Sequence, residues 1–290
     1  MVTKEDKRFI PFIIPALFFY IIFLVYPVLS SFYYSLTNWS GISNHYRFLG
    51  IKNFVDMITD RSFVISIKNT LIFVVMDVVL MNIFGLGMAL LLNMKMKTKN
   101  LLRTTFFLPV VIAPIVISFI WTYVYNYDIG ILNVLLTKMG LQKIDWIGNP
   151  KIAIYFVILT GIWQWYSYRM IIYLTGLHTI PEELYEASLI DGAGGYNRFW
   201  YITLPMLMPA FTINIILCTI GALKQFDIVF VMTGGGPGYS TEVITTKIYR
   251  EAFTNSQMGY AMAIGVVLFF AVLAVTIAQY KFFSKREIEE

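Results

Sequence analysis

The chain has 290 residues, of which 58% are hydrophobic and 13% charged, with a mean hydropathy of +0.69 and a formal net charge of +5. An average soluble domain carries roughly 25% charged residues, so an ordinary water-soluble globule is excluded. The charge-free stretches recur at lengths that match a bilayer, and the chain reads as an all-α integral membrane protein.

Six windows carry that reading. Phe9 to Tyr46, Thr104 to Tyr127, Phe199 to Leu223 and Ala252 to Tyr280 contain no Lys, Arg, Asp or Glu. Asn69 to Met94 is broken only by Asp77, and Ile152 to Pro181 only by Arg169. A helix needs about 20 apolar residues to cross the hydrocarbon core, and every window exceeds that. The expectation is a single membrane domain over 1–290 with six transmembrane helices near 9–34, 63–92, 104–125, 153–177, 206–231 and 260–283. The first run follows Lys4, Lys7 and Arg8 as a secretory signal would, but it far exceeds an apolar signal core of about 7 to 15 residues and is expected to remain as a spanning helix. Lys and Arg are nearly balanced in number between the two sides. Their density is not: Lys95, Lys97, Lys99 and Arg103 crowd one short connection and both chain ends are basic, which puts the termini in the cytoplasm. Pro11, Pro15 and Pro27 in helix 1, with Pro109 and Pro114 in helix 3, predict kinks, either around a cavity or for packing alone.

Cys218 is the single cysteine, so no disulfide framework or Cys-cluster metal site is expected. His45 and His178 have no second ligand at a useful spacing, and no bound metal is expected. No basic patch interleaves with aromatics as a nucleic-acid surface requires. The glycine-rich run from Thr233 to Gly238 lacks the Lys-Ser or Lys-Thr pair of a phosphate-binding loop. It is expected to be a turn where the chain leaves the membrane, which leaves any ATP to another polypeptide.

The connection 178–205 is the most informative stretch. Thr179-Ile-Pro-Glu182 has the form of a capping box, with Pro181 in the first helical turn. A short helix is expected from Pro181 to Ile190, placing Leu184, Ala187 and Ile190 on one face and Glu183 and Glu186 on another. Asp191-Gly192 then stops it, and a second segment from Tyr196 to Ile202 leads to Leu204-Pro205.

Glu186-Ala187-Ser188, Gly192, and then Ile202-Thr203-Leu204-Pro205 reproduce the spacing of the EAA signature, and the chain resembles permease subunits of ABC importers. The fuller run Leu184 to Ala193 is similar to the carbohydrate-uptake version, as are Phe226-Asp227, Met232 to Pro237, Gly259-Tyr-Ala261, and Pro27 preceding Asn53-Phe54. The one departure is Ser188 for the second alanine. The resemblance implies the type I importer permease fold, with 178–205 as a cytoplasmic coupling loop in a prokaryotic cytoplasmic membrane. It implies that Glu183, Glu186, Ala187, Ser188, Asp191, Gly192 and Ala193 meet an ATPase subunit. The partners so implied are a second, homologous permease chain, two ATP-binding subunits that hold ATP and Mg, and an extracytoplasmic solute-binding protein.

Arg169 and Asp77 are intramembrane charges, each of which must face a cavity or a partner. They either line a pathway or pair with each other. Trp165, Tyr166 and Tyr173 share the helical neighbourhood of Arg169 as one stripe, and aromatic faces with polar tips suit a polyhydroxylated ring. Lys224, Gln225 and Asp227 lie near the far end of helix 5, at a pathway border or as interface anchors. Two rival classes lack their signatures: a polytopic membrane enzyme needs a catalytic cluster, and a self-sufficient secondary transporter usually shows inverted repeats.

Overall fold

A computed structural model describes residues 10–94 and 96–286. The basic residues Lys4, Lys7, Arg8 and Lys95, and the expected helix start at Phe9, lie outside the described residues. Among the described residues the backbone is helical apart from turns and one isolated antiparallel bridge between Thr37 and Phe48.

Helix α1 (10–34) comprises Ile10–Tyr20, a π-helical turn Ile21–Val25 and Tyr26–Tyr34. Pro27 cannot donate to the carbonyl four residues back, and the π turn absorbs that defect just ahead of it. A short α2 (Lys52–Thr59) precedes α3 (Arg61–Asn93), which carries a π turn at Asp77–Met81. Then come α4 (Lys99–Val111), α5 (Pro114–Val124), α6 (Ile131–Lys138) and the 27-residue α7 (Ala153–Thr179). The following connection holds α8 (Glu182–Ile190) and α9 (195–206). Helices α10 (Met208–Leu223) and α11 (Asp227–Met232) form one span, and α12 (Ile244–Tyr249) leads to α13 (Met258–Phe283).

Among the described residues four helical segments are long and apolar enough to cross a bilayer: Ile13–Tyr34, Arg61–Asn93, Met208–Met232 and Met258–Phe283. The expected continuous helix 3 is instead a pair, α4 and α5, bent by 97° at the residues between them. Pro114 has no N–H, and the residue before a proline is driven to extended backbone; Ile112 and Ala113 both adopt ψ near 135°. Helix α7, about 40 Å long at 1.5 Å per residue, is continuous, and polar Gln164, Ser167 and Arg169 stand among its apolar residues, all three buried.

The chain divides into two compact units. The larger, Ser62–Thr246 with the segment from Phe270, has α7 at its centre. Phe73, Met81, Ile158, Ile162, Cys218 and Val229 form one buried cluster, and Leu92, Met170, Leu174, Leu177 and Leu207 form another. Gly85 of α3 lies against the α7 backbone, where a Cβ would come within 2.8 Å of the Arg169 Cβ. Small residues at crossings let helices approach when lipid supplies no hydrophobic drive. Asn69 of α3 donates to the carbonyls of Tyr239, Ser240 and Glu242, pinning the turn that follows the glycine-rich run.

The smaller unit comprises the residues up to Arg61 with Lys247–Phe269. Asn53 donates to the carbonyls of Ser35 and Thr37, capping the end of α1. A buried charge network ties the rest. The Lys247 ammonium lies 2.8 Å from Asp60 and 2.6 Å from Glu251, Tyr260 donates to Asp60, and Asn255 donates to Glu251. Burial alone would lower the Lys247 pKa, but the bonds to Asp60 and Glu251 outweigh it and hold the group above the ordinary lysine value. Its contribution is therefore complete at neutral pH and lost only as strongly alkaline solution deprotonates it. Removing one partner from a buried pair typically costs about 3–5 kcal/mol. Lys247→Met is expected to lower the thermal midpoint of the purified protein clearly, while Lys247→Arg retains most of it; equal midpoints for Lys247→Met and wild type would contradict a structural role for the network.

Candidate functional site

Two places in the larger unit concentrate polar chemistry. The first is a cavity of about 310 Å³ whose wall includes Asp77, Pro114, Trp165, Arg169, Gln225 and Asp227. The volume lies at the small end of the range for ligand pockets, roughly 300–1,000 Å³. Arg169 and Asp77 are 8% and 5% exposed. Nε and Nη1 of Arg169 and Oδ1 of Asp77 have no hydrogen-bond partner, although the guanidinium also lies 5.3 Å from the centre of the Tyr168 ring. No ion pair within 4 Å joins Arg169 to Asp77, unlike Lys247 with Asp60 and Glu251. Arg169 and Asp77 thus share a cavity wall without closing into a direct pair.

The cavity exists because helix 3 is broken. At the break the carbonyl of Ile112 would be left without a donor, and the buried Gln164 of α7 supplies one at 3.0 Å. Pro114 starts α5 on the cavity wall, facing α7 residues Trp165 and Arg169. The span of α10 and α11 is itself non-helical at 224–226, where Lys224 and Gln225 complete the wall. The Gln225 carbonyl accepts from Thr245 Oγ1, which fixes that interruption.

The stripe expected from helical spacing divides. Trp165 and Arg169 reach the cavity, whereas Tyr173 is fully buried in the second hydrophobic cluster and donates its hydroxyl to Asn82. Tyr166 is half-buried and is not among the residues of this wall. Cys218 does belong to it, a neighbour with no signal in the sequence beyond its position in a span.

The second place is the 178–205 connection. The expected capping box does not form, because α7 runs on to Thr179 and the Thr179 hydroxyl bonds back to the Gly176 carbonyl. Helix α8 begins at Glu182, one residue later than expected, and Pro181 is its N-cap in extended backbone. Its end is a Schellman turn: Gly192 N–H donates to Leu189 and Ala193 N–H to Ser188, with Gly192 at φ +74°. Glu183, Glu186, Ala187 and Asp191 are exposed, and Ile190 is 87% exposed. Ser188, expected beside Ala187 on the outer face, is instead buried at 6%, and its hydroxyl donates to the Tyr185 carbonyl. Tyr185 Oη lies 3.1 Å from Thr203 Oγ1, tying α8 to α9.

An apolar bundle that keeps a guanidinium and a carboxylate together on one cavity wall has the anatomy of a multi-pass membrane component that passes polar solutes. The chain belongs to the family of binding-protein-dependent transport system inner membrane components, whose model matches residues 81–288. Similar proteins include a probable ABC transporter permease of Bacillus subtilis, YurN, 37% identical over 97% of this chain and 98% of that one. The trehalose/maltose transport system permease MalF of Thermococcus litoralis is 34% identical over 96% of this chain and 94% of its own length. The multiple sugar-binding transport system permease MsmF of Streptococcus mutans is 33% identical, with 96% and 95% covered. Among solved structures, a bacterial ABC transporter involved in import of the acidic polysaccharide alginate superposes with a TM-score of 0.86 at 21% identity, covering 97% of this chain and 96% of that one. This likeness establishes the fold.

The Gln164 bond makes a direct test. Leaving a buried carbonyl unsatisfied costs about 1–3 kcal/mol, so Gln164→Leu is expected to destabilise the break by about that amount and to speed amide hydrogen exchange over 113–117. Unchanged exchange there would mean that Gln164 does not support the break.

Proposed function

We propose that this chain is the permease subunit of a binding-protein-dependent ABC importer for sugars or oligosaccharides, forming half of the translocation pathway. It works with a second, homologous permease chain, two ATP-binding subunits that hold ATP and Mg, and an extracytoplasmic solute-binding protein. This chain carries no ATPase site of its own in this reading, and a single membrane domain lies in the cytoplasmic membrane with both termini inside. Sugar as the solute class is supported by the trehalose/maltose and multiple-sugar relatives and by a cavity that combines an indole face with donors and acceptors.

The observation that carries the coupling role is the geometry of α8. A nine-residue helix joins two bundle helices, turns its Tyr185 and Ser188 inward, and exposes Leu184, Leu189 and Ile190 together with Glu183 and Glu186. Apolar side chains rimmed by charge on a short, firmly closed helix suit insertion into a cleft of a partner. Ala187 keeps the approach close, and Gly192 with Ala193 sets the exit angle.

Gly192 has open space around it, so a larger residue there meets backbone strain and not a clash. Left-handed backbone costs a residue with a Cβ about 1–2 kcal/mol, and more when that residue is β-branched. Gly192→Val is expected to cut ATPase docking and uptake at normal membrane abundance. Wild-type uptake by that variant would overturn the coupling role of α8.

On the pathway side, Arg169→Ala is expected to lower uptake far more than it lowers assembly of the complex, and adding Asp77→Asn should not rescue it. A purely structural pair predicts the reverse, with assembly lost in the single mutant and partly restored in the double.

A further inference from the structure

We infer that the cavity of the larger unit takes an uncharged saccharide ring, with Arg169 as hydrogen-bond donor and Asp77 as acceptor, and refuses anionic sugars. The inference rests on the transport reading and names the substrate class for its pathway.

Nε and Nη1 of Arg169 and Oδ1 of Asp77 are buried without hydrogen bonds on one wall. Arg169 and Asp77, each more than nine-tenths buried, both line the cavity, and a guest that meets both must bring acceptors for the one and donors for the other. A phosphate, sulfate or carboxylate brings acceptors only and would leave Asp77 facing a like charge in a medium of low dielectric. A cation would leave the guanidinium in the same position. A hydroxyl is both donor and acceptor, and neighbouring hydroxyls on a sugar ring can accept from the Arg169 fork while donating to Asp77. Trp165 adds a flat aromatic face for the apolar side of the ring.

The rest of the wall agrees. Lys224 and Asp227, both exposed, add one charge of each sign, so the lining carries no net charge that would favour an ion. The broken helix is not arranged for an anion either: Pro114 has no N–H, and the amides of Val116 and Ile117 are spent on the Ala113 carbonyl. The volume of about 310 Å³ admits a ring and not an extended oligomer at one time.

Cys218 stands on the same wall and is the only cysteine of the chain, which supplies a reporter without mutagenesis. The complete complex, with its partner subunits, is treated with an uncharged methanethiosulfonate, and the modification of Cys218 is read from the mass of this chain. Maltose, trehalose and raffinose serve as neutral probes, and galacturonate and glucose 6-phosphate as anionic ones, at equal concentration and ionic strength. At least one neutral sugar is expected to slow labelling several-fold while neither anion does, and Asp77→Asn or Arg169→Gln should abolish the protection.

Protection by an anionic probe equal to the best neutral one overturns the inference. So does protection that survives both substitutions, failure of every neutral probe to protect, or a Cys218 that never reacts. Uptake of radiolabelled solute by the same complex is measured separately: if uptake proceeds while protection fails, the transport reading stands and the charge-selective cavity does not.

Discussion

Hydrocarbon offers no hydrogen bonds, and the arrangement of the larger unit follows from where each polar group finds a partner without water. Side-chain amides carry much of that burden. Gln164 takes the carbonyl freed at the break in helix 3, Asn69 holds three carbonyls of the 239–242 turn, and Asn82 accepts from Tyr173. Asn214 donates to the backbone carbonyl of Arg169, 3.4 Å away. Other buried polar atoms stay without a partner, Gln164 Oε1, Ser167 Oγ and Asn214 Oδ1 beside those of Arg169 and Asp77, and Arg169 and Asp77 line one cavity.

The cavity and the surface helix are mechanically close. Arg169 sits in α7, an unbroken helix that ends at Thr179, ten residues or about 15 Å further on. Helix α8 starts at Glu182 and is tied through Tyr185 and Thr203 to α9, which runs directly into the α10 span. Cys218, which also lines the cavity, belongs to α10. In the proposed coupling role, a displacement of α8 would act on the two helices that flank the cavity, with no flexible loop between. The Schellman closure at Gly192 matters for the same reason: a frayed helix end would dissipate the displacement.

The spans were legible because lipid punishes charge, so charge-free windows appear in the sequence as directly as in the structure. The helix in 178–205 was legible from Gly192 and the periodicity of Leu184, Ala187 and Ile190. What escaped depended on partners distant in sequence. Pro114 announced a kink, but a 97° bend also needs Gln164 to donate to the stranded carbonyl of Ile112, 52 residues earlier. Helical spacing grouped Tyr173 with Arg169, yet Asn82 across the α3 crossing draws Tyr173 into the core. The capping box at Thr179 failed because α7 continues two residues past its expected end and claims that hydroxyl. The Lys247 network had only half a local signal: Glu251 stands four residues on, whereas Asp60 lies far back in the chain.

The least apolar long helix is also the most enclosed, and the two properties require each other. Helix α7 is packed by α3, α4, α5, α10 and α11, so its Gln164, Ser167 and Arg169 never meet lipid. The reverse holds for α1, whose apolar window is 0% buried within the chain and whose exposed residues include Phe18, Phe19, Phe23 and Leu29. A helix with such a surface tolerates lipid on every side but could not carry a charge. Placing Gln164, Ser167 and Arg169 on the surrounded helix therefore lets one chain turn apolar surface outward and keep polar groups inside.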